Sequence, residues 1–125
     1  MKKLLKISCV LALAATFATT ASRAADFYVA SGGSHTTGTG WDTAFTNIQA
    51  ALNAASPHDT IYLAGETFAV TNQLVWTNDF VTMRGGYRAA DALDTPGPCD
   101  PKQWPTTITR DSSINTRLLL INAAT

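Results

Sequence analysis

Residues 60–83 read TIYLAGETFAVTNQLVWTNDFVTM. Four short β-prone runs lie in this stretch: Thr60–Ala64, Phe68–Val70, Leu74–Trp76 and Phe80–Met83. They are rich in β-branched and aromatic residues, which fit a pleated, half-buried surface. Gly65-Glu66, Thr71-Asn72 and Asn78-Asp79 separate them, and these are residue types that turn a chain. Strands this short cannot form a stable sheet alone. Ile61 and Val81 stand twenty residues apart, the scale on which strand repeats stack. The stretch therefore predicts a coil of short strands.

Downstream, Gly85-Gly86 reads as the end of this series. Residues 88–105 hold Pro96, Gly97, Pro98, Pro101 and Pro105 and read as a long excursion. Strand character returns at Thr106–Thr109 and at Arg117–Ile121. Upstream, Phe27–Ala30 is a further β-prone run. Ser31–Gly40 reads as a loop, because four glycines among small polar residues leave nothing to pack. No strand–glycine loop–helix context with a Lys-Ser/Thr pair follows, so a phosphate cradle is not predicted.

One helix is expected over residues 43–55. Ala44, Phe45, Ile48, Ala51, Leu52 and Ala55 share one face of a 3.6-residue repeat. Asp42 or Thr43 is the expected cap, and Trp41 is expected to staple against Phe45 or Thr46. Ser56-Pro57 ends the helix, since the residue before proline is driven out of the helical region. The polar face, Thr46, Asn47, Gln49 and Asn53, carries no charge.

The first 24 residues read as a cleavable export signal. Lys2, Lys3 and Lys6 form a positive start, and Ile7–Ala18 is nearly all apolar. Ser22 and Ala24 place small side chains at the −3 and −1 positions, so cleavage is expected after Ala24. Cleavage one residue later would put Arg23 at −3. The apolar run is shorter than the roughly 20 residues of a membrane span. Cys9 lies too early in that run for lipidation, and Lys6 stands where an aliphatic residue is needed.

Removing residues 1–24 changes the charge. Nine basic and nine acidic residues become five and nine, a formal charge of about −4. Arg84, Arg88, Lys102, Arg110 and Arg117 are scattered, so no basic footprint for nucleic acid exists. Cys99 is the one cysteine left. It reads as a free thiol, an intermolecular bridge, or half of a pair completed further along a longer chain.

Several spaced segments then resemble one family. These are Tyr28-Val-Ala-Ser-Gly-Gly-Ser, Gly38-Thr-Gly-Trp-Asp-Thr-Ala-Phe, Ile48-Gln-Ala-Ala-Leu and Asp59-Thr-Ile-Tyr-Leu-Ala-Gly. Val81-Thr-Met-Arg-Gly-Gly-Tyr and Trp104-Pro-Thr-Thr-Ile-Thr continue the series. Their order resembles the opening of right-handed parallel β-helix proteins of the pectin-lyase-like fold. The resemblance spans residues 27–121. It implies a mainly β chain, the N-terminal part of a right-handed parallel β-helix, with residues 25–125 forming its cap and first rungs. The helix would cover the exposed first rung. Tyr62, Phe68, Trp76 and Phe80 are the candidates for inward or stacking bulk. Stacked repeats need a cap at both ends, and the chain stops at Thr125 just after Leu118–Ile121. The expectation is the opening piece of a longer protein.

The same opening occurs in bacterial adhesins, autotransporter passengers and polysaccharide-degrading enzymes. A search for chemistry favours the first two. His35 and His58 have no Cys or His at metal spacing and read as solvated loop residues. No nucleophile elbow or calcium-loop motif occurs. Asp59, Glu66, Asp79, Asp91, Asp94, Asp100 and Asp111 are spread among turns, whereas glycosidases of this fold need close carboxylate pairs. Asp59 reads as closing the turn into its strand, and cation binding by Asp91, Asp94 and Asp100 is the lesser reading. Arg84 and Arg110 read as solvated or paired with an acid. No catalytic, cofactor or metal residue is predicted; the one processing site is Ala24. The expected function is a non-catalytic, exported, adhesin-like segment, secreted or at the cell surface. Its expected partner is extracellular polysaccharide or a cell surface, and it meets the membrane only through its signal during export. A polysaccharide lyase or glycoside hydrolase is the alternative.

Overall fold

The computed structural model describes residues 23–90, 96–113 and 115–122. The segment expected to be an export signal, as far as Ser22, and Asp91 and Asp94 lie outside the described residues. The elements run β1 Asp26–Val29, α1 Ile48–Ala54, β2 Thr60–Ala64, β3 Thr67–Val70 and β4 Leu74–Trp76. They continue as β5 Thr82–Tyr87, β6 Thr107–Arg110 and β7 Leu119–Ile121. Among the described residues the fold is mainly β, with three small parallel sheets and one short helix.

The sheets follow a simple rule. β2 pairs with β5, β3 with β6 and β4 with β7, all parallel, so each strand bonds the strand three places later. β1 adds to the free edge of β2, with Phe27 opposite Ile61. The repeat from Ile61 to its partner Met83 is twenty-two residues. It grows to forty from Thr67 to Thr107 and to forty-five from Leu74 to Leu119. The proline-rich excursion accounts for most of the added length without disturbing the register.

The strand β5 corrects one sequence expectation. Gly85-Gly86 does not end the strand, which continues to Tyr87. Tyr62 pairs with Arg84 but Ala64 with Tyr87, so β5 carries one extra residue there. Gly86, at φ 89°, absorbs it as a bulge. The Thr106 hydroxyl then bridges the two strands. It accepts from Gly86 N at 2.8 Å and donates to Ala64 O at 2.7 Å.

The helix is shorter than its periodicity predicts, beginning at Ile48 instead of residue 43. Asn47 is the cap, its side chain accepting from Ala50 N at 2.9 Å. The reason is tertiary. Phe45 is spent on β1, donating to Tyr28 O and accepting from Ala30 N, both at 2.9 Å. Trp41 forms no staple; it is buried edge-on against Tyr28 at 4.9 Å.

The core collects Tyr28 and Val29 from β1, Ile48 and Leu52 from α1, Ile61 and Leu63 from β2, Phe68 and Leu74. Full burial of an aliphatic or aromatic side chain contributes about 1.5–3 kcal/mol. Tyrosines from successive strands stack: Tyr28 on Tyr62 at 5.4 Å, and Tyr62 edge-on to Tyr87 at 5.1 Å. Phe80 does not point inward. It is 74% exposed with φ 58°, stacks on His58 at 5.2 Å, and precedes β5 instead of opening it.

Candidate functional site

The site follows from how the edge formed by the first strand of each sheet, β1, β3 or β4, is treated. An unpaired strand edge is a row of free N–H and C=O groups. On β1 that edge is covered by Phe45 and by Gly38, whose carbonyl accepts from Tyr28 N at 2.7 Å. On β4 it is covered by a side chain. Gln49 donates from Nε2 to Val75 O at 3.0 Å and accepts at Oε1 from Val75 N at 2.8 Å. Its amide stands in for one residue of a missing strand.

The third edge, on β3, is open. Glu66 O and Val70 O accept from Thr107 N and Asp111 N, each at 3.0 Å. Strand alternation therefore turns the backbone groups of Thr67 and Ala69 away from β6. Among the described residues neither receives a partner on that side. A cleft of about 330 Å³ runs beside it, between β3 and the start of α1, lined by Asn47, Gln49, Thr71, Asn72 and the apolar Ile48, Val70 and Leu74. A smaller recess of about 170 Å³ adjoins it at Ser31, Thr46, Thr67 and Phe68. Among the described residues no charged side chain lines either. The nearby Glu66 carboxylate is held by Ser31, whose N and Oγ both donate to it at 2.6 Å. The lining thus offers uncharged donors and acceptors over an apolar floor. Periodicity placed Asn47 and Gln49 on one uncharged helix face; only the pairing of β3 with β6 shows what that face borders.

Among the described residues, the titratable side chains singled out from the sequence are not gathered together. His35, at φ 55°, accepts at Nδ1 from Thr46 N at 3.0 Å and pins its loop to the approach of α1. His58 sits exposed in a turn at φ 76°. Asp100 accepts from Lys102 N at 3.0 Å and Asp111 from Ser113 N at 2.8 Å, both as local turn contacts. Hydrogen bonds from the Ser113 N–H and side chain hold the Asp111 carboxyl below its usual range. Burial raises the Tyr87 phenol, the neighbouring Cys99 thiol raises it further, and Arg84 acts against both. Cys99 is an exposed free thiol whose backbone bridges to Tyr87. Among the described residues no three His, Cys, Asp or Glu side chains converge as metal ligands. Asp59 is different: it is buried, and it binds Ala25 N and Ser56 N, each at 2.7 Å. Ala24, the expected processing residue, is exposed just before it.

Comparison of the chain with profiles of known protein families, with curated proteins and with solved structures returned no match. Its class therefore rests on its own geometry, which among the described residues is a mainly β domain of three small parallel sheets and one helix.

Proposed function

We propose that this chain is an exported, non-catalytic binding module built as the opening turns of a right-handed parallel β-helix, and that its β3 cleft takes a neutral extracellular polysaccharide. The pairing of each strand with the one three places later supports the coil. Parallel strands joined by a crossover are right-handed in about 98% of cases, which supports the hand of the β1–α1–β2 unit. The observation that carries the binding role is the open β3 edge, left bare where β1 and β4 are covered. Hydroxyl groups donate and accept at once, so a neutral sugar chain can meet the N–H and C=O groups of Thr67 and Ala69 together with the side chains of Asn47 and Thr71. An anionic chain finds no cation among the described residues of the lining. An adhesin-like role at a cell surface follows from export combined with such a cleft.

The test is an amide chemical-shift titration of the purified protein with maltohexaose, cellohexaose and a galacturonic acid hexamer. The expected result is shifts at Thr67, Ala69 and Thr71 with a neutral hexasaccharide, abolished by Ala69→Glu. Cleavage or preferred binding of the galacturonate would overturn the reading. So would silence toward both neutral sugars alongside binding of an uncharged strand-forming peptide at the same amides.

A further inference from the structure

Asp59 is the one charged side chain buried among the described residues, 5% exposed. Burying a carboxylate without a cation is costly unless hydrogen bonds compensate. Two do: Oδ1 accepts from Ala25 N and Oδ2 from Ser56 N, both at 2.7 Å. No ion pair reaches it among the described residues. The surrounding backbone fixes its aim. Asp59 N donates to Ser56 O at 3.1 Å, Asp59 O accepts from Thr82 N at 3.0 Å, and Ala25 O accepts from Thr60 N at 3.0 Å. The carboxylate thus sits where β1, β2 and β5 begin, with Oδ1 on the peptide nitrogen of Ala25.

That nitrogen belongs to the bond that the export signal marks for cleavage. Ser22 and Ala24 occupy the −3 and −1 positions, so the scissile bond is Ala24–Ala25. We propose that removal of residues 1–24 turns the Ala25–Asp59 hydrogen bond into an ion pair that locks β1 onto the sheet, so that the mature chain is more stable than its precursor. This rests on the export reading above. Hydrolysis adds water across the Ala24 C–N bond. The carbonyl keeps the hydroxyl and leaves as the carboxylate of the signal fragment. The Ala25 nitrogen gains a proton to become a primary amine, and a second proton makes it an ammonium at neutral pH. One of its N–H groups keeps the Asp59 Oδ1 bond, now charged at both ends. The carboxylate is already buried in the precursor, so cleavage adds attraction without a new desolvation cost on that side. Ala25 itself is only half-buried, so the other N–H groups keep water. Before export the same contact is a neutral amide N–H against the carboxylate, without the charge of an ammonium.

The experiment compares three processed chains by urea unfolding: one starting at Ala25, the same chain N-acetylated, and one starting at Ala24. Acetylation restores the neutral amide, and the extra residue displaces the amine by about 3.8 Å. The expected result is a folded-to-unfolded ratio about fivefold higher for the free Ala25 chain than for either control. In Asp59→Asn the free and acetylated chains are expected to match. Equal stability of all three native-sequence chains overturns the ion pair. N-terminal sequencing of the exported product separates this from the underlying reading, since a start other than Ala25 overturns the processing site itself.

Discussion

The side-chain amide of Gln49 pairs with both backbone groups of Val75, donating to its carbonyl at 3.0 Å and accepting from its N–H at 2.8 Å. A helix residue thereby finishes a sheet to which it does not belong. Gln49→Ala leaves both groups without partners at a half-buried edge. The expected loss is about 1–3 kcal/mol by urea unfolding. Gln49→Glu does not rescue it, because a carboxylate oxygen then faces the Val75 carbonyl.

Thr106 supports the β5 bulge through one hydroxyl, between Gly86 N and Ala64 O. Thr106→Val keeps the shape and removes both bonds, with an expected cost of about 1–3 kcal/mol. Thr106→Ser retains the hydroxyl and is expected to lose less than half as much in the same measurement.

Two glycines are expected to respond with opposite sign. A Cβ on Gly65 would stand 2.3 Å from Trp104 Cβ and 2.6 Å from its carbonyl oxygen. Gly65→Ala therefore forces the excursion off the β2–β3 corner, at a cost of about 1–3 kcal/mol. Nothing lies within 4 Å of the same position on Gly32. Gly32→Ala is expected to stabilise by about 0.4–1 kcal/mol, by narrowing the unfolded ensemble. Thermal unfolding of the two variants distinguishes them.

Two groups set opposite pH limits. The Tyr87 pKa is raised in the folded chain, chiefly by burial. Its contribution is complete below the unfolded value of about 10 and is lost as pH rises through the folded value. Tyr87→Phe is expected to flatten the alkaline limb of a stability–pH profile. The Asp111 pKa is lowered by Ser113. Its contribution is present above the unfolded value of about 3.9 and is lost as pH falls through the lower folded one. Ser113→Ala is expected to move the Asp111 carboxyl titration upward by NMR, in part only, because the backbone N–H remains.

Much of the strand placement was legible in the residues themselves. TIYLA, FAV and LVW occupy β2, β3 and β4, and Gly65-Glu66 makes the corner between the first two. Side-chain alternation and turn chemistry are local properties, so they survive in a one-dimensional reading. The helix start, the bulge at Gly85-Gly86 and the outward Phe80 were not legible. Each depends on a partner distant in sequence: Phe45 on Tyr28, Gly86 on Thr106, and β5 on β2.

The sequence alone therefore determined a chain of short strands with one uncharged amphipathic helix. Only the tertiary structure decided that Gln49 reaches across 26 positions to close β4, while the edge of β3 stays open beside it. It also decided that Asp59 faces Ala25 across 34 positions. Local preference says which residues extend or turn. Which backbone groups remain bare, and which charge lies buried, depends on hydrogen bonds between segments that only folding brings together.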